Sequence, residues 1–380
     1  MKIGFDGKRA FHNFRGLGQY SRNLIDGLNN SYEDLDLFIF SPEASNESTI
    51  SWGESLSRTE IINPKNILSK KCSSLWRSLF LSNVLKKYNL DIYHGLSHEL
   101  PPGIRGKVKA SVVTIHDLIF LKFPHFFPWV DRKVYLKKYL GSCKRADLII
   151  AICENTKSDL INLLGIPPQK IRVAYQSCHP SFEKKISQDN LFSSLKKMGL
   201  PQNYLLQIGA IEENKNILLT IRSFAEIEKE FPDLFLVVVG GNGNPDYKRK
   251  VYEEIDKLKI GKKIIFKSFI QNNDLPCLYQ GAKALIFPSF YEGFGIPIIE
   301  SMFSGTPVIT SKGGCFHEAG GPGTLYIDPY SKEELSASIF KLMSDDEFRK
   351  EVIQQGRYFV KKFHWKNTSR VLKNIYQELI

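Results

Sequence analysis

The chain has 380 residues, enough for two domains, and its 42% apolar and 24% charged residues exclude both a disordered chain and, with no apolar run near the roughly 20 residues of a span, a transmembrane helix. Net charge is +12, carried as 27 Lys/Arg against 18 Asp/Glu in residues 1–190 and 25 against 22 in residues 191–380. The basic first half suits an anionic partner such as a membrane surface, an anionic lipid carrier or nucleic acid, and it equally suits simple solubility. The start, Met1-Lys2-Ile3-Gly4-Phe5, reads as a strand rather than a signal peptide. Cys72, Cys143, Cys153, Cys178, Cys277 and Cys315 form no C-x-x-C pair and have no histidines at metal spacing, which argues for reduced packing residues of a cytoplasmic protein and against a zinc site.

Strand and helix patterns then alternate, so an α/β fold is expected. Residues 2–6 read as a strand, 18–29 as a helix and 35–41 as a second strand. An amphipathic helix with basic ends is expected over 75–87, short strands over 91–94 and 110–115, and a basic helix over 131–144. The strand 148–151 leads into a helix capped near Glu154 or Asn155, and 171–175 closes the first series. Residues 178–200, polar and lysine-rich, read as a linker. The second series has strands at 204–209, 234–240, 263–267, 284–287 and 307–310, with a helix over 216–231. The apolar strand 234–240 ends in Gly240-Gly241-Asn242-Gly243. A helical tail starts at Lys332, and a break near Phe363-His364-Trp365 precedes a last helix, 367–379. Two doubly wound halves facing one another would create a deep cleft, a common place for ligands.

The richest stretch is Phe287 to Glu300, which places Glu292 and Glu300 across a glycine turn that opens a helix at the carboxyl end of a strand. Pro297 suits the first helical position, and Gly305 and Pro307 stop the helix. Open parallel sheets bind ligands at that edge. The amides of Gly293, Phe294 and Gly295 and the positive helix end favour a diphosphate. Glu300 in the first turn could accept hydrogen bonds from a ribose diol, and Glu292 could hold sugar hydroxyls. A solvated loop acid and a helix-capping acid would show the same spacing.

Three further stretches point to the same edge. Arg15-Gly16-Leu17-Gly18-Gln19-Tyr20 opens a helix after the first strand, either to let backbone approach a ligand or to make a tight turn; it lacks a full G-x-G-x-x-G. His116, ending the strand Val112 to Ile115, could donate to a sugar or phosphate, or contribute charge near a developing cation; His94 is a weaker repeat of that signal. Lys215, at a helix start after Gly209, is unfavourable there unless an anion is present or the side chain bends into solvent. The aromatic run Phe120 to Trp129, with two prolines, precedes Lys133, Lys137, Lys138, Lys144 and Arg145. It fits contact with sugars or membrane headgroups, or packing on its own domain.

Taken together, these residues resemble the GT-B retaining glycosyltransferases of family 4, in their mannosyltransferase-like branch. The resemblance rests on the Arg15 to Tyr20 loop, Thr114-Ile115-His116-Asp117-Leu118, Gly209 through Lys215-Asn216, and Glu292 to Glu300, which is similar to that family's E-x7-E signature. Pro288-Ser289 before it, Gly305 to Ile309 after it, Glu318 and Asp328-Pro329 agree. It implies two Rossmann-like domains: an acceptor-side domain, 1–190, with the helix 364–380 packing back on it, and a nucleotide-sugar donor domain, 191–363. Implied roles follow position by position. The Gly16–Gly18 loop with Arg15 approaches the donor phosphates, and Lys215 binds the diphosphate. Glu292 and the amides of Gly293 to Gly295 hold the donor sugar, Glu300 binds the ribose, and His116 sits beside the donor sugar.

The resemblance further implies no cofactor and no metal ion, because lysine and helix dipoles take the metal's electrostatic place. The donor favoured is GDP-mannose, and the acceptor is a glycan or lipid-linked oligosaccharide of a surface polysaccharide. The expected location is cytoplasmic, with possible docking on the inner face of the membrane. There are departures. Where many relatives carry an arginine, this chain has Ala210 and Asn214, so Arg15 or Arg22 would have to supply that charge; Ser301 replaces an alanine. A non-catalytic nucleotide-sugar-binding protein or a GT-B epimerase shares the fold. A glycosidase would need one carboxyl raised in pKa, whereas both lie near a positive helix end. No nucleic-acid-binding signature is present.

Overall fold

The computed structural model describes residues 1–64, 76–241 and 243–380. The chain divides into two compact units, Met1–Cys178 with Phe363–Ile380, and His179–Lys362. The division falls earlier than the expected 190, because 178–200 is not a linker. A short turn, Pro180–Glu183, and the helix Gln188–Lys197 belong to the second unit, where Leu191 and Leu195 are buried.

The first unit carries seven parallel strands: β1 (Lys2–Asp6), β2 (Asp36–Phe40), β3 (Thr59–Ile62), β4 (Ile92–Gly95), β5 (Ala110–Ile115), β6 (Leu148–Ala151) and β7 (Ile171–Val173). Their order is β3-β2-β1-β4-β5-β6-β7. β5 is buried along its whole length, which is why it reads as a mostly apolar run, interrupted only by Ser111 and Thr114. The last helix, Trp365–Gln377, packs on the helix Gly16–Ser31 of this unit. The expected helix over 75–87 is broken into a wide turn at Trp76–Phe80, a helix at Leu81–Leu85 and a tight turn at Lys86–Tyr88. Its first residue, Leu75, lies outside the described residues, as does Cys72. The other five cysteines are buried, and none of them forms a disulfide.

The second unit carries six parallel strands: β8 (Tyr204–Ile208), β9 (Phe235–Val239), β10 (Ile264–Lys267), β11 (Ala284–Phe287), β12 (Val308–Ser311) and β13 (Thr324–Ile327). Their order is β10-β9-β8-β11-β12-β13. In each sheet the order reverses once, between β1 and β4 and between β8 and β11. The chain therefore leaves neighbouring strands in opposite directions and opens a crevice at their carboxyl ends. No helix among the described residues is long and apolar enough to cross a membrane.

Candidate active site

In the second unit the two loops at the reversal point are those after β8 and β11. The first makes a short turn, Glu213–Lys215, before the helix Ile217–Glu230. Lys215 lies in that turn, and its Nζ is 2.5 Å from Glu292 Oε1. The ammonium thus neither bends into solvent nor stands alone at a helix end; it is paired and only 19% exposed. The loop after β11 closes on Gly295, whose φ of +101° disfavours any side chain, and opens the helix Ile296–Ser304. Pro297 is therefore the second helical residue, not the first. Phe294 is 2% exposed, so its side chain is part of the core and is not available to a ligand in this conformation.

Glu300 is the fifth residue of that helix, beyond its first turn. It is 6% exposed and accepts a hydrogen bond of 2.7 Å from the Tyr279 hydroxyl. Burial pushes its carboxyl up to about 7, against the lowering by Tyr279. The expectation that the helix end lowers both acids is thus corrected for Glu300. Desolvation outweighs a dipole that fades within one turn.

In the first unit His116 directly follows β5, at the carboxyl edge of the sheet. Its Nε2 donates to the Leu96 carbonyl at 2.9 Å, and its Nδ1 accepts from Gln176 Nε2 at 3.1 Å. Burial lowers its pKa to about 4, so the ring is neutral and contributes no charge beside a developing cation. Both nitrogens are engaged, so donation to a ligand requires exchanging one of these bonds. His94 is wholly inside the unit. Its nitrogens meet the Tyr376 hydroxyl and Thr114 Oγ1, each at 2.7 Å, and its pKa is lowered to about 3 by burial. The weaker signal at His94 is thus a packing role.

The Arg15 to Tyr20 loop divides in the same way. Around Gly16 there is open space, whereas a Cβ at Gly18 would lie 1.7 Å from the Asn13 carbonyl oxygen. Gly18 is thus required by its own chain. Arg22 is buried, and its Nη1 donates to the carbonyls of Ala10 and Asn13 at 2.7 and 3.0 Å. It holds the loop and is not available as the missing cation. Arg15 stays exposed. Gly18→Ala is expected to destabilise this unit by about 1–3 kcal/mol, read as a lower midpoint in chemical denaturation; an unchanged midpoint would refute the packing account.

The family model "Glycosyltransferase Family 4" matches residues 14–180, and "Glycosyl transferases group 1" matches residues 192–359. The chain belongs to glycosyltransferase family 4. It is 28% identical over 393 residues to O-antigen chain mannosyltransferase B of Escherichia coli, covering 100% of both chains. To O-antigen chain mannosyltransferase RfbU of Salmonella typhimurium it is 28% identical over 269 residues, 70% of this chain and 69% of that one. The crystal structure of Anabaena HepE in complex with UDP and glucose is similar in fold, with a TM-score of 0.76 at 17% identity over 100% of both chains. The two parallel-sheet units are Rossmann-like and of the GT-B class.

Two residues given no role of their own above, Asn216 and Arg77, hold the loops of this glycosyltransferase in place. Asn216 is 7% exposed in the left-handed conformation, φ +54°, and its amide donates to the carbonyls of Pro288 at 3.1 Å and Pro329 at 2.7 Å. It stitches the loops after β8, β11 and β13 together. The available signal was its type, since asparagine tolerates that conformation better than most residues. In the first unit, Arg77 bridges Asp6 at the end of β1 and Glu99, the latter at 3.2 Å. Only the placement of Asp6 at a strand end hinted at this cluster.

Proposed function

We propose that this glycosyltransferase moves a mannosyl residue from GDP-mannose to a glycan or lipid-linked oligosaccharide during surface polysaccharide assembly, with retention and without a metal ion. The observation that carries the reading is the Lys215–Glu292 pair at the reversal point of the second sheet, beside the Gly293–Gly295 turn. A donor diphosphate competes for the Lys215 ammonium. Glu292 is then released to accept hydrogen bonds from hydroxyls of the donor sugar. The two O-antigen mannosyltransferases similar to this chain support mannose as that sugar.

The chemistry follows from charge. Breaking the anomeric C–O bond leaves positive charge on the sugar ring and an anion on the diphosphate. Lys215 and the amino end of the helix Ile296–Ser304 stabilise that anion as it separates. The acceptor hydroxyl attacks from the same face, the new C–O bond forms, and its proton passes to the departing phosphate oxygen. In this proposal the open backbone at Gly16, with Arg15, approaches the phosphates, and the fixed neutral ring of His116 orients the sugar.

Glu300 is assigned to the ribose diol. The ionised carboxylate accepts strongly from both hydroxyls of a diol, whereas the protonated acid turns one oxygen into a donor and accepts more weakly at the other. With a pKa of about 7 in the free protein, nucleotide binding should weaken as pH falls below 7, by up to about tenfold per unit. Calorimetric titration of GDP at pH 8, 7 and 6 checks this, and Glu300→Gln should flatten the profile and weaken binding at pH 8. An unchanged affinity in that variant would remove Glu300 from the nucleotide site.

Docking on the inner face of a membrane is assigned to the helix Trp129–Arg145. Its first residues, Trp129 and Val130, are 59% and 60% exposed, and Lys133 Nζ lies 3.9 Å over the Trp129 ring. Exposed Lys137 and Lys138 continue the basic face. Trp129→Ser with Val130→Ser should lower binding to phosphatidylglycerol vesicles by about tenfold while sparing transfer to a water-soluble acceptor. Equal vesicle binding by the variant rejects this helix as the contact.

The donor assignment is tested by thermal shift against GDP, UDP, ADP and their sugar conjugates, first without metal and then with Mg²⁺. GDP-mannose at 100 times its Kd should stabilise by about 2.7 kcal/mol, and turnover of the bound donor separates an enzyme from a binding protein. Stabilisation by another sugar nucleotide alone rejects GDP-mannose; none at all rejects the donor site.

A further inference from the structure

We propose a second anion site, for a phosphoryl group, in a cavity of the second unit that adjoins both crossings of the chain between units. The chain enters this unit at His179 and leaves it at Lys362. A cavity of about 280 Å³ is lined by Glu183, Lys184 and Lys185 near the first crossing and by Val360 and Lys361 near the second. Arg357 and Ser304 complete the charged and polar lining with Gln280. Four cations therefore face one carboxylate.

Three of the four cations carry no internal counter-ion: Lys184, Lys185 and Arg357 form no ion pair among the described residues. Ser304 is 6% exposed, and its Oγ is buried in the cavity wall with no hydrogen-bond partner among the described residues. The lysines are presented from fixed backbone: Gln280 Nε2 donates to the Lys184 carbonyl at 2.8 Å, and the Ile186 amide donates to Gln280 Oε1 at 3.1 Å. Arg357 packs over Gly305, just past the helix Ile296–Ser304. That helix end is negative and by itself repels an anion, but half an elementary charge is outweighed by a lining of net charge +3.

The volume selects the ligand. It lies just below the range of about 300–1,000 Å³ common for drug-sized ligands, and so suits a phosphate or diphosphate rather than a whole sugar nucleotide. An anion held between 183–185 and 360–361 ties together the two segments next to the crossings, whether the phosphoryl group comes free in solution or on a headgroup-like alcohol.

The test is calorimetric titration of inorganic diphosphate into the full chain previously saturated with GDP. One equivalent is expected to bind. Lys184→Glu and, separately, Arg357→Gln should each weaken it by about tenfold or more, with GDP binding and thermal midpoint unchanged. No binding to the GDP-saturated protein, or binding equal in both variants, overturns the site. A failure of the donor reading shows separately, as no heat in the GDP step; diphosphate binding is then measured in Lys215→Ala, whose change lies at the Glu292 pair and outside the lining of this cavity. Glycerol 3-phosphate in place of diphosphate distinguishes the sources. Tighter binding of the former, lost in Lys184→Glu, assigns a headgroup, and tighter binding of the latter assigns free diphosphate.

Discussion

Lys215→Ala is expected to slow sugar transfer by roughly a hundred- to a thousandfold, the loss typical when a fixed group opposite developing anionic charge is removed. The effect should be at the upper end, because Ala210 and Asn214 in the same loop carry no charge and Arg22 is committed to the carbonyls of Ala10 and Asn13. Lys215→Arg should recover part of the rate, since a cation is restored at a site already shaped by Glu292. The rate constant at saturating donor should fall more than donor affinity, as befits charge that appears mainly in the transition state. The variant leaves Glu292 half-buried without its partner, so its thermal midpoint has to be measured alongside. A folded Lys215→Ala protein with a transfer rate within fivefold of wild type would remove Lys215 from the reaction.

The second large effect is on stability. His94, His98 and His116 are all buried and neutral in the first unit. Burial lowers His94 to about 3 and His116 to about 4, and places His98 well below its usual value. In the unfolded chain each takes a proton near 6.5. Between 6.5 and about 4 the unfolded state therefore binds more protons, and stability present above 6.5 is lost as pH falls. Asp26 opposes this, because burial raises it to about 6 and the folded state takes up its proton first. A net excess of about two protons remains between pH 6 and 4, or about 2.7 kcal/mol per pH unit. Against a typical total of about 5–15 kcal/mol, the first unit should unfold near pH 4–5.

The second unit has the opposite tendency in part of this range, since Glu300 is raised to about 7 and favours the folded state on acidification. Trp52, Trp76, Trp129 and Trp365 all fall in the first unit, so tryptophan fluorescence reports on that unit alone. Denaturation followed by fluorescence at pH 7.5, 6.5, 5.5 and 4.5 should show the steep loss, and His94→Gln should reduce the slope by about one proton. A midpoint independent of pH would sink the account.

The central strands were legible because they are buried on both faces and predominantly apolar, as in Ala110–Ile115 and Phe235–Val239. The strands not anticipated, Thr59–Ile62 and Thr324–Ile327, are short edges with mixed burial, where a continuous apolar run is not needed. The sequence around 178–200 misled for a related reason. Its helix Gln188–Lys197 buries only Leu191 and Leu195, so polarity dominates its composition. At the site, the positions of Lys215, Glu292 and His116 at strand ends could be read, but not their partners. The Lys215–Glu292 contact spans 77 positions and the bonds of His116 reach Leu96 and Gln176, and such pairings follow from strand order, which spacing along the chain does not encode. The conflict at Glu300 could not be seen either, since helix position is local and burial is tertiary.

The return of the chain to its first unit has a consequence for biosynthesis. The buried Tyr376, whose hydroxyl meets His94, is made only after the whole of residues 179–362 has been synthesised. At about 5–20 residues per second that interval is on the order of ten to forty seconds. Throughout it the nascent first unit lacks its last helix, Trp365–Gln377. Vectorial synthesis therefore leaves the first-encoded unit open until the very end of the chain is made, and that unit is the natural client for a chaperone.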